Sequence, residues 1–336
     1  MIISRLLLAL SALVAAAMLS AVVTWAIRPL LLRHALARPN ARSSHRVPTP
    51  QGGGIAVIAA TLLVVGAIIA CAGTTDLKVP AAIFAASLFI AIVGFTDDVK
   101  SIDVLPRLLL QAAAVAAIIF TSSGDLRIVP ACPLWIERGI LLLAGLWFVN
   151  LVNFMDGLDL MTVAEVVPIT SAMVTLGISA DFPASATLVA AALCGAMLGF
   201  APFNRPVAKI FLGDVGSLPI GLLLGWCLLQ LAYHQQFAAA LLLPLYYLCD
   251  ATATLLRRLV NREPFWAAHR SHFYQRATDN GFTVWRVVTE VFALNVGLAV
   301  LAIASIRTQS SAANILFLAL GSVAVGLMLH RFSRQR

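Results

Sequence analysis

Two adjacent carboxylates, Asp97 and Asp98, end an apolar stretch in GFTDDVKSIDVLPR, residues 94–107. Like charges this close repel, and one is driven toward its neutral form unless a cation or a basic side chain offsets it. A divalent ion or a phosphate-bound metal provides that offset; a solvated helix end is the plainer alternative. In NLVNFMDGLD, residues 150–159, Asn150, Asn153, Asp156 and Asp159 recur at every third position. On a helical end this spacing makes a polar stripe, which must meet water, protein or ligand because amides and carboxylates facing lipid are costly. Helix-to-helix bonding by Asn and Asp is the structural alternative.

Three further clusters complete the set. Asp214 lies in FLGDVGS just before an apolar run, where Asp214 or Ser217 can cap a helix. Free N–H groups at such an end also attract phosphate, and a carboxylate there can hold magnesium against it. The run Gly52-Gly53-Gly54 behind Pro48 and Pro50 suits a tight, close-packed loop. His269, Arg270, Ser271 and His272, with Tyr274 and Arg276, combine imidazoles with forked guanidinium donors that grip diphosphates. Two histidines without a third ligand make a poor zinc site, and a solvated basic loop is the alternative. Together the clusters offer carboxylates for a divalent metal and basic groups for phosphates. That suits phosphoryl transfer, which needs charge neutralisation and in-line positioning more than a special nucleophile.

The elements that position these residues follow from composition. Of 336 residues 61% are hydrophobic and 11% charged, with a mean hydropathy of +0.94. A soluble domain carries about a quarter charged residues, so the chain reads as an integral, all-α polytopic membrane protein. The net charge of +8 marks cytoplasmic loops facing anionic headgroups, and no nucleic-acid partner is expected. The five cysteines show no ligand spacing and read as packing residues. Arg5 and the apolar stretch to Ile27 read as a retained first span, being longer than a signal-peptide core.

About eleven spans are predicted, near 6–27, 53–72, 79–95, 107–122, 135–152, 161–179, 184–202, 215–232, 237–256, 284–305 and 312–330. This division puts 18 of the 23 Lys and Arg residues in one set of loops. The positive-inside rule makes those loops cytoplasmic, the N-terminus periplasmic and the C-terminus cytoplasmic. The cytoplasmic loops, about 28–52, 96–106, 153–160, 203–214 and 257–283, hold all five clusters. One domain, 1–336, is expected, with its active site in a cytoplasmic-face cleft.

These clusters, PTPQGGG, DD, NFMDGLD, FLGDVGS and HRSHFYQR, in this order, resemble the polyprenyl-phosphate N-acetylhexosamine-1-phosphate transferase family, of glycosyltransferase family 4 type. The last loop, with LPLYYLCDATATLLRR upstream, looks most like the branch that primes O-antigen and lipopolysaccharide synthesis. The resemblance implies transfer of a sugar-1-phosphate from a UDP-N-acetylhexosamine to undecaprenyl phosphate, with Mg²⁺ as cofactor and Mn²⁺ as a substitute. It also implies the bacterial inner membrane, with homodimerisation left open. The sugar classes implied are N-acetylfucosamine, N-acetylquinovosamine and N-acetylglucosamine.

Carried onto this chain, the resemblance makes Asp97 and Asp98 the catalytic pair and Asn153 and Asp214 the metal ligands. His45, Arg107, Asn150, Asp156, Asp159, His269, Arg270 and His272 become substrate-binding, Asp159 toward the nucleoside. Where the family usually has Gly after that aspartate, this chain has Leu160. The rival readings are the peptidoglycan phospho-MurNAc-pentapeptide branch, a CDP-alcohol phosphotransferase, a secondary transporter and a non-catalytic scaffold. A transporter would carry its polar groups near mid-membrane in repeated halves.

Overall fold

The computed structural model describes residues 2–37, 48–72, 77, 79–179, 181–264 and 269–335. His45 lies outside them. The helices are α1 (Ile2–His34), α2 (Gly54–Ala72), α3 (Ala81–Val99), α4 (Val104–Thr121), α5 (Leu134–Phe154), α6 (Met161–Ile178) and α7 (Ala184–Asn204). They continue with α8 (Asp214–Tyr233), α9 (Phe237–Leu242), α10 (Leu245–Val260), α11 (Phe273–Asp279), α12 (Val284–Thr308) and α13 (Ser311–Ser333). A two-residue antiparallel pair, β1 (Leu36–Ala37) and β2 (Thr49–Pro50), ties the end of α1 to the start of α2.

Among the described residues ten helices are long and apolar enough to cross a membrane. They match ten of the predicted spans. The remaining one, 237–256, forms as α9 and α10 with a break at Leu243-Pro244. Pro244 has no N–H to continue the ladder. The second piece carries Asp250, Arg257 and Arg258 and has a much more polar face than the others.

Helices α7 and α8 are mostly buried and form the centre, whereas α1 and α13 present most of their side chains outward. Around this centre α1 and α2 pack on α7, α3 and α5 pack on α8, and α6 lies between α7 and α12. Within the bundle Asn295 of α12 donates to Glu165 Oε2 of α6 at 2.6 Å and to the Ala164 carbonyl at 3.0 Å. Such a bond replaces the lipid-facing polar groups that the bilayer forbids.

Close backbone approach at one end of the bundle depends on small residues. A Cβ on Gly54 would lie 2.2 Å from the Cα of Gly216, and one on Gly94 would lie 2.2 Å from the Asp214 carbonyl oxygen. Helices α2 and α3 therefore meet the first turn of α8 at backbone distance. At the opposite end Arg138, itself buried, donates to the carbonyls of Ile119, Ser122 and Ser123 and so closes the C-terminus of α4. Arg127 pairs with Glu137 at 2.9 Å there. Two of the five basic residues assigned to the outer face are thus engaged in local structure, which accounts for their place outside the charge rule.

Gly94→Ala should force α3 off α8 and cost about 1–3 kcal/mol, the usual range for overpacking. Gly139→Ala, at a glycine with open space around its Cβ position, should not. Thermal midpoints of the two variants in detergent test this, and equal midpoints would refute the close approach.

Candidate functional site

The loops at one end of the bundle are bonded into a single assembly. Phe211 N–H donates to the Pro50 carbonyl at 2.8 Å, and Gly53 and Gly54 N–H donate to the Phe211 and Leu212 carbonyls at 2.8 Å. The PTPQGGG and FLGDVGS segments, far apart in sequence, are therefore one structure. Its keystone is Asp98. Oδ1 accepts the Asp214 N–H at 2.9 Å and Oδ2 the Val215 N–H at 3.0 Å, and Gln51 Nε2 also donates to Oδ1. Helix α8 starts after Gly213, with φ 78°, and no side chain of its own caps it. A carboxylate from α3 caps it instead.

This arrangement alters two expectations. Neither Asp214 nor Ser217 is the cap. The first-turn N–H groups of α8 are not open to phosphate either: Asp98 takes two, and the Gly213 carbonyl accepts those of Gly216 and Ser217 at 3.0 and 2.9 Å. The buried end was satisfied by the nearest anion that the fold could supply.

Asp97, one residue away, points to different partners. It accepts the Ile102 N–H at 2.6 Å and pairs with Arg107 Nη1 at 2.8 Å. Asp97 and Asp214 also influence each other electrostatically, and two carboxylates so placed favour a proton or a cation between them. Asn153 Nδ2 donates to Asp214 Oδ1 at 2.7 Å and to Ser217 Oγ at 2.9 Å. Asp97, Asp98, Asn153 and Asp214 are thus brought together from α3, α5 and α8.

The polar stripe predicted over 150–159 is not one helical face. Helix α5 stops at Phe154, so Asn150 and Asn153 occupy its last turns and Asp156 and Asp159 lie in the following loop. Side-chain bonds there compete with the helix. Thr162 donates to Asp156, and Asp159 Oδ2 accepts the Ala208 N–H at 3.0 Å. Burial pushes the Asp156 carboxyl up to about 7, with the charges of Asp98 and Asp159 adding to it and the Thr162 hydrogen bond opposing it. Asn150 is buried and donates to Gln111 Oε1 at 2.7 Å and to the Leu146 carbonyl at 2.8 Å. Both of its amide hydrogens join α5 to α4 and to its own preceding turn.

Leu160 adopts φ 60°, left-handed, and its N–H donates to Asn204 Oδ1 at 2.7 Å. Glycine takes that conformation without strain, and a side chain there costs about 1–2 kcal/mol. The departure from the family pattern at this position therefore falls where the backbone favours glycine.

The basic segment reaches the same end of the molecule. Tyr274 Oη donates to the Phe154 carbonyl at 2.9 Å, and a Cβ on Gly157 would lie 2.2 Å from that oxygen. The His272 ring lies between those of Phe154 and Tyr274, with centroids at 6.3 and 5.8 Å, and 4.9 Å from His269. Arg270 meets Asp279 at 3.2 Å and Thr278 at 3.0 Å. Sequence reasoning missed Gln51, Asn204 and Asp250. Gln51 lies within PTPQGGG, and Asp250 is a lone carboxylate in the apolar run LYYLCDATATLL, the kind of residue a membrane does not tolerate without a task.

The donor set suits a hard cation. Asp97, Asp98, Asp156 and Asp214 influence one another electrostatically, and Arg107 is the basic partner paired with Asp97. Among the described residues no three His, Cys, Asp or Glu side chains converge as a metal cage. One or two carboxylates completed by water and phosphate oxygens are how Mg²⁺ is usually held.

Residues 80–232 match the model described as Glycosyl transferase family 4. The chain is 28% identical over 263 residues, 74% of this chain and 71% of the relative, to the probable undecaprenyl-phosphate N-acetylglucosaminyl 1-phosphate transferase of Bacillus subtilis. It is 28% identical over 329 residues, 86% of this chain and 80% of the relative, to decaprenyl-phosphate N-acetylglucosaminephosphotransferase of Mycobacterium tuberculosis. It is 30% identical over 173 residues, 50% of this chain and 52% of the relative, to phospho-N-acetylmuramoyl-pentapeptide-transferase of Enterococcus faecalis.

Asp98→Ala should leave the Asp214 and Val215 N–H groups buried without an acceptor and cost about 1–3 kcal/mol in the substrate-free protein. Asp97→Ala should cost less, because the loss of its Ile102 N–H and Arg107 partners is offset by removal of a repelling neighbour of Asp214. Thermal midpoints in the reverse order would overturn the division of roles.

Proposed function

We propose, from the glycosyl transferase family 4 domain that this chain carries over residues 80–232, that it transfers an N-acetylhexosamine-1-phosphate from a UDP-sugar to undecaprenyl phosphate. The observation that carries the reading is the gathering of Asp97, Asn153 and Asp214 at one end of a membrane bundle, next to Arg107 and the His269–Arg276 segment. A phosphate oxygen of the lipid attacks the β-phosphorus of the UDP-sugar. The bond from that phosphorus to the bridging oxygen breaks, and UMP leaves with the electron pair. The lipid phosphate is already mostly ionised near neutral pH, so no strong base is needed.

Each residue has a role in this reading. Asp97 and Asp214, with the amide oxygen of Asn153, would hold Mg²⁺. When bound, that ion neutralises charge on the diphosphate as it is cleaved. Arg107 restrains Asp97 and supplies positive charge at the entry of the lipid phosphate. His269, Arg270 and His272 meet the sugar-phosphate side, and Asp156 and Asp159 shape the loop beneath it. Asp98 acts through the α8 cap, keeping Asp214 and Asp97 in register.

Initiation of O-antigen or another cell-surface polysaccharide at the cytoplasmic face of the inner membrane is the proposed setting, with the N-terminus periplasmic. Coverage favours an N-acetylhexosamine donor over the pentapeptide branch: the N-acetylglucosamine-phosphate transferases of B. subtilis and M. tuberculosis align with 74% and 86% of the chain, the pentapeptide transferases of E. faecalis and Streptococcus pneumoniae with 50% and 62%. A secondary transporter is disfavoured because the polar groups gather at one end of the bundle.

Purified protein with Mg²⁺, undecaprenyl phosphate and a panel of UDP-N-acetylhexosamines should give a polyprenyl-diphospho-sugar, seen by mass spectrometry, with stoichiometric UMP. Asp214→Ala or Asn153→Ala should abolish turnover or raise the Mg²⁺ needed for half-maximal rate at least about tenfold. Absence of lipid product with every sugar would end the reading, and unchanged magnesium dependence would end the ligand assignment.

A further inference from the structure

Asp250 is fully buried on α10 and belongs to none of the clusters assigned above. Its carboxylate nonetheless accepts four hydrogen bonds. Oδ1 accepts the Phe273 N–H at 2.9 Å and the Thr254 hydroxyl at 3.3 Å. Oδ2 accepts the Tyr274 N–H and the Tyr246 hydroxyl, each at 3.1 Å. His272 Nδ1 stands 3.4 Å from Oδ1 in ion-pair reach, without hydrogen-bond alignment.

Three of these five contacts come from consecutive residues, His272, Phe273 and Tyr274, at the start of α11. That short helix has no capping side chain of its own. The same segment then meets the site. Tyr274 Oη bonds the Phe154 carbonyl, Gly157 leaves room for that oxygen and for Gln275 Nε2, and the His272 ring lies against Phe154. A carboxylate facing Nδ1 favours the proton on that nitrogen and leaves Nε2 as the acceptor.

We propose that Asp250 is a positioning residue that docks the start of α11, and with it the His272 ring, on the loop carrying Asp156 and Asp159. The inference rests on the transferase reading above. Asp250 touches no reacting group; it acts through His272, whose place beside Phe154 the Asp250 bonds to the Phe273 and Tyr274 N–H groups fix. The Tyr246 and Thr254 hydroxyls, from its own helix, complete the solvation of a buried charge.

The full-length enzyme, assayed with its active UDP-sugar and undecaprenyl phosphate, tests this. Asp250→Asn keeps the volume but sets an amide donor against backbone N–H donors, and kcat/KM should fall at least about tenfold, the usual cost of losing a group that orients a site residue. Tyr246→Phe removes a donor to the same carboxylate on the α10 side alone, so it should lower the thermal midpoint while kcat/KM stays within about twofold.

The deciding measurement is the double variant Asp250→Asn with His272→Ala. If Asp250 works through His272, the pair should be about as slow as His272→Ala alone; a role in stability alone would multiply the two losses. Multiplied losses, or wild-type kcat/KM in Asp250→Asn, overturn the inference. Should Asp250→Asn yield no folded protein, Phe273→Pro deletes one bonded N–H at a first helical position that tolerates proline. It should give a comparable loss, and an unchanged rate would be equally fatal. A wild-type enzyme that makes no lipid product refutes the transferase reading itself, whereas an active enzyme indifferent to Asp250 refutes only this inference.

Discussion

A carboxylate from one helix capping the buried start of another is the interaction on which this site depends. The first turn of α8 begins inside protein, where no bulk water can accept its N–H groups, and such groups are expensive to leave unpaired. Asp98 of α3 accepts two of them. Because the capping group is ionised when it works best, its bonds are charge-assisted and strengthened by the low dielectric around them. The same contact fixes the position of Asp97, its neighbour in sequence, opposite Asp214. Geometry at the candidate metal position follows from a backbone requirement.

The pattern recurs at α11, capped by Asp250 of α10. Elsewhere the chain uses local caps: Thr283 accepts the Arg286 N–H at the start of α12, and Ser310 accepts the Ala313 N–H at the start of α13. The starts of α8 and α11 are closed across helices, and those of α12 and α13 by their own side chains. A cap supplied by a neighbouring helix restrains two helices at once, which suits an end that must hold several carboxylates in register.

Charge is distributed to match. Away from the site, Arg127 neutralises Glu137 and Arg138 is spent on the α4 carbonyls. At the site end four aspartates interact, with Arg107 paired to one of them. Within this cluster the aspartates outnumber the basic side chain paired to them, so an added cation is favourable there. Arg107, paired to Asp97, puts positive charge beside that place, so an anion bridged by the cation meets complementary charge.

Much of this was legible in the amino-acid order. Hydropathy located ten of the long helices, because spanning length and apolar composition are local properties, and the motif residues marked the end at which polar side chains gather. Local patterns also misjudged what depends on neighbours. A three-residue spacing looked like one helical stripe, but α5 ends at Phe154 and Asp159 is taken by the Ala208 N–H. Asp98 and Asp97 look equivalent in sequence, yet one caps α8 and the other faces Arg107 and Asp214. The division of labour between them, and the tasks of Asp250, Asn204 and Gln51, were decided only by tertiary structure. A hydrogen-bond acceptor finds its donors across space, and those donors lie on segments whose proximity no spacing along the chain encodes.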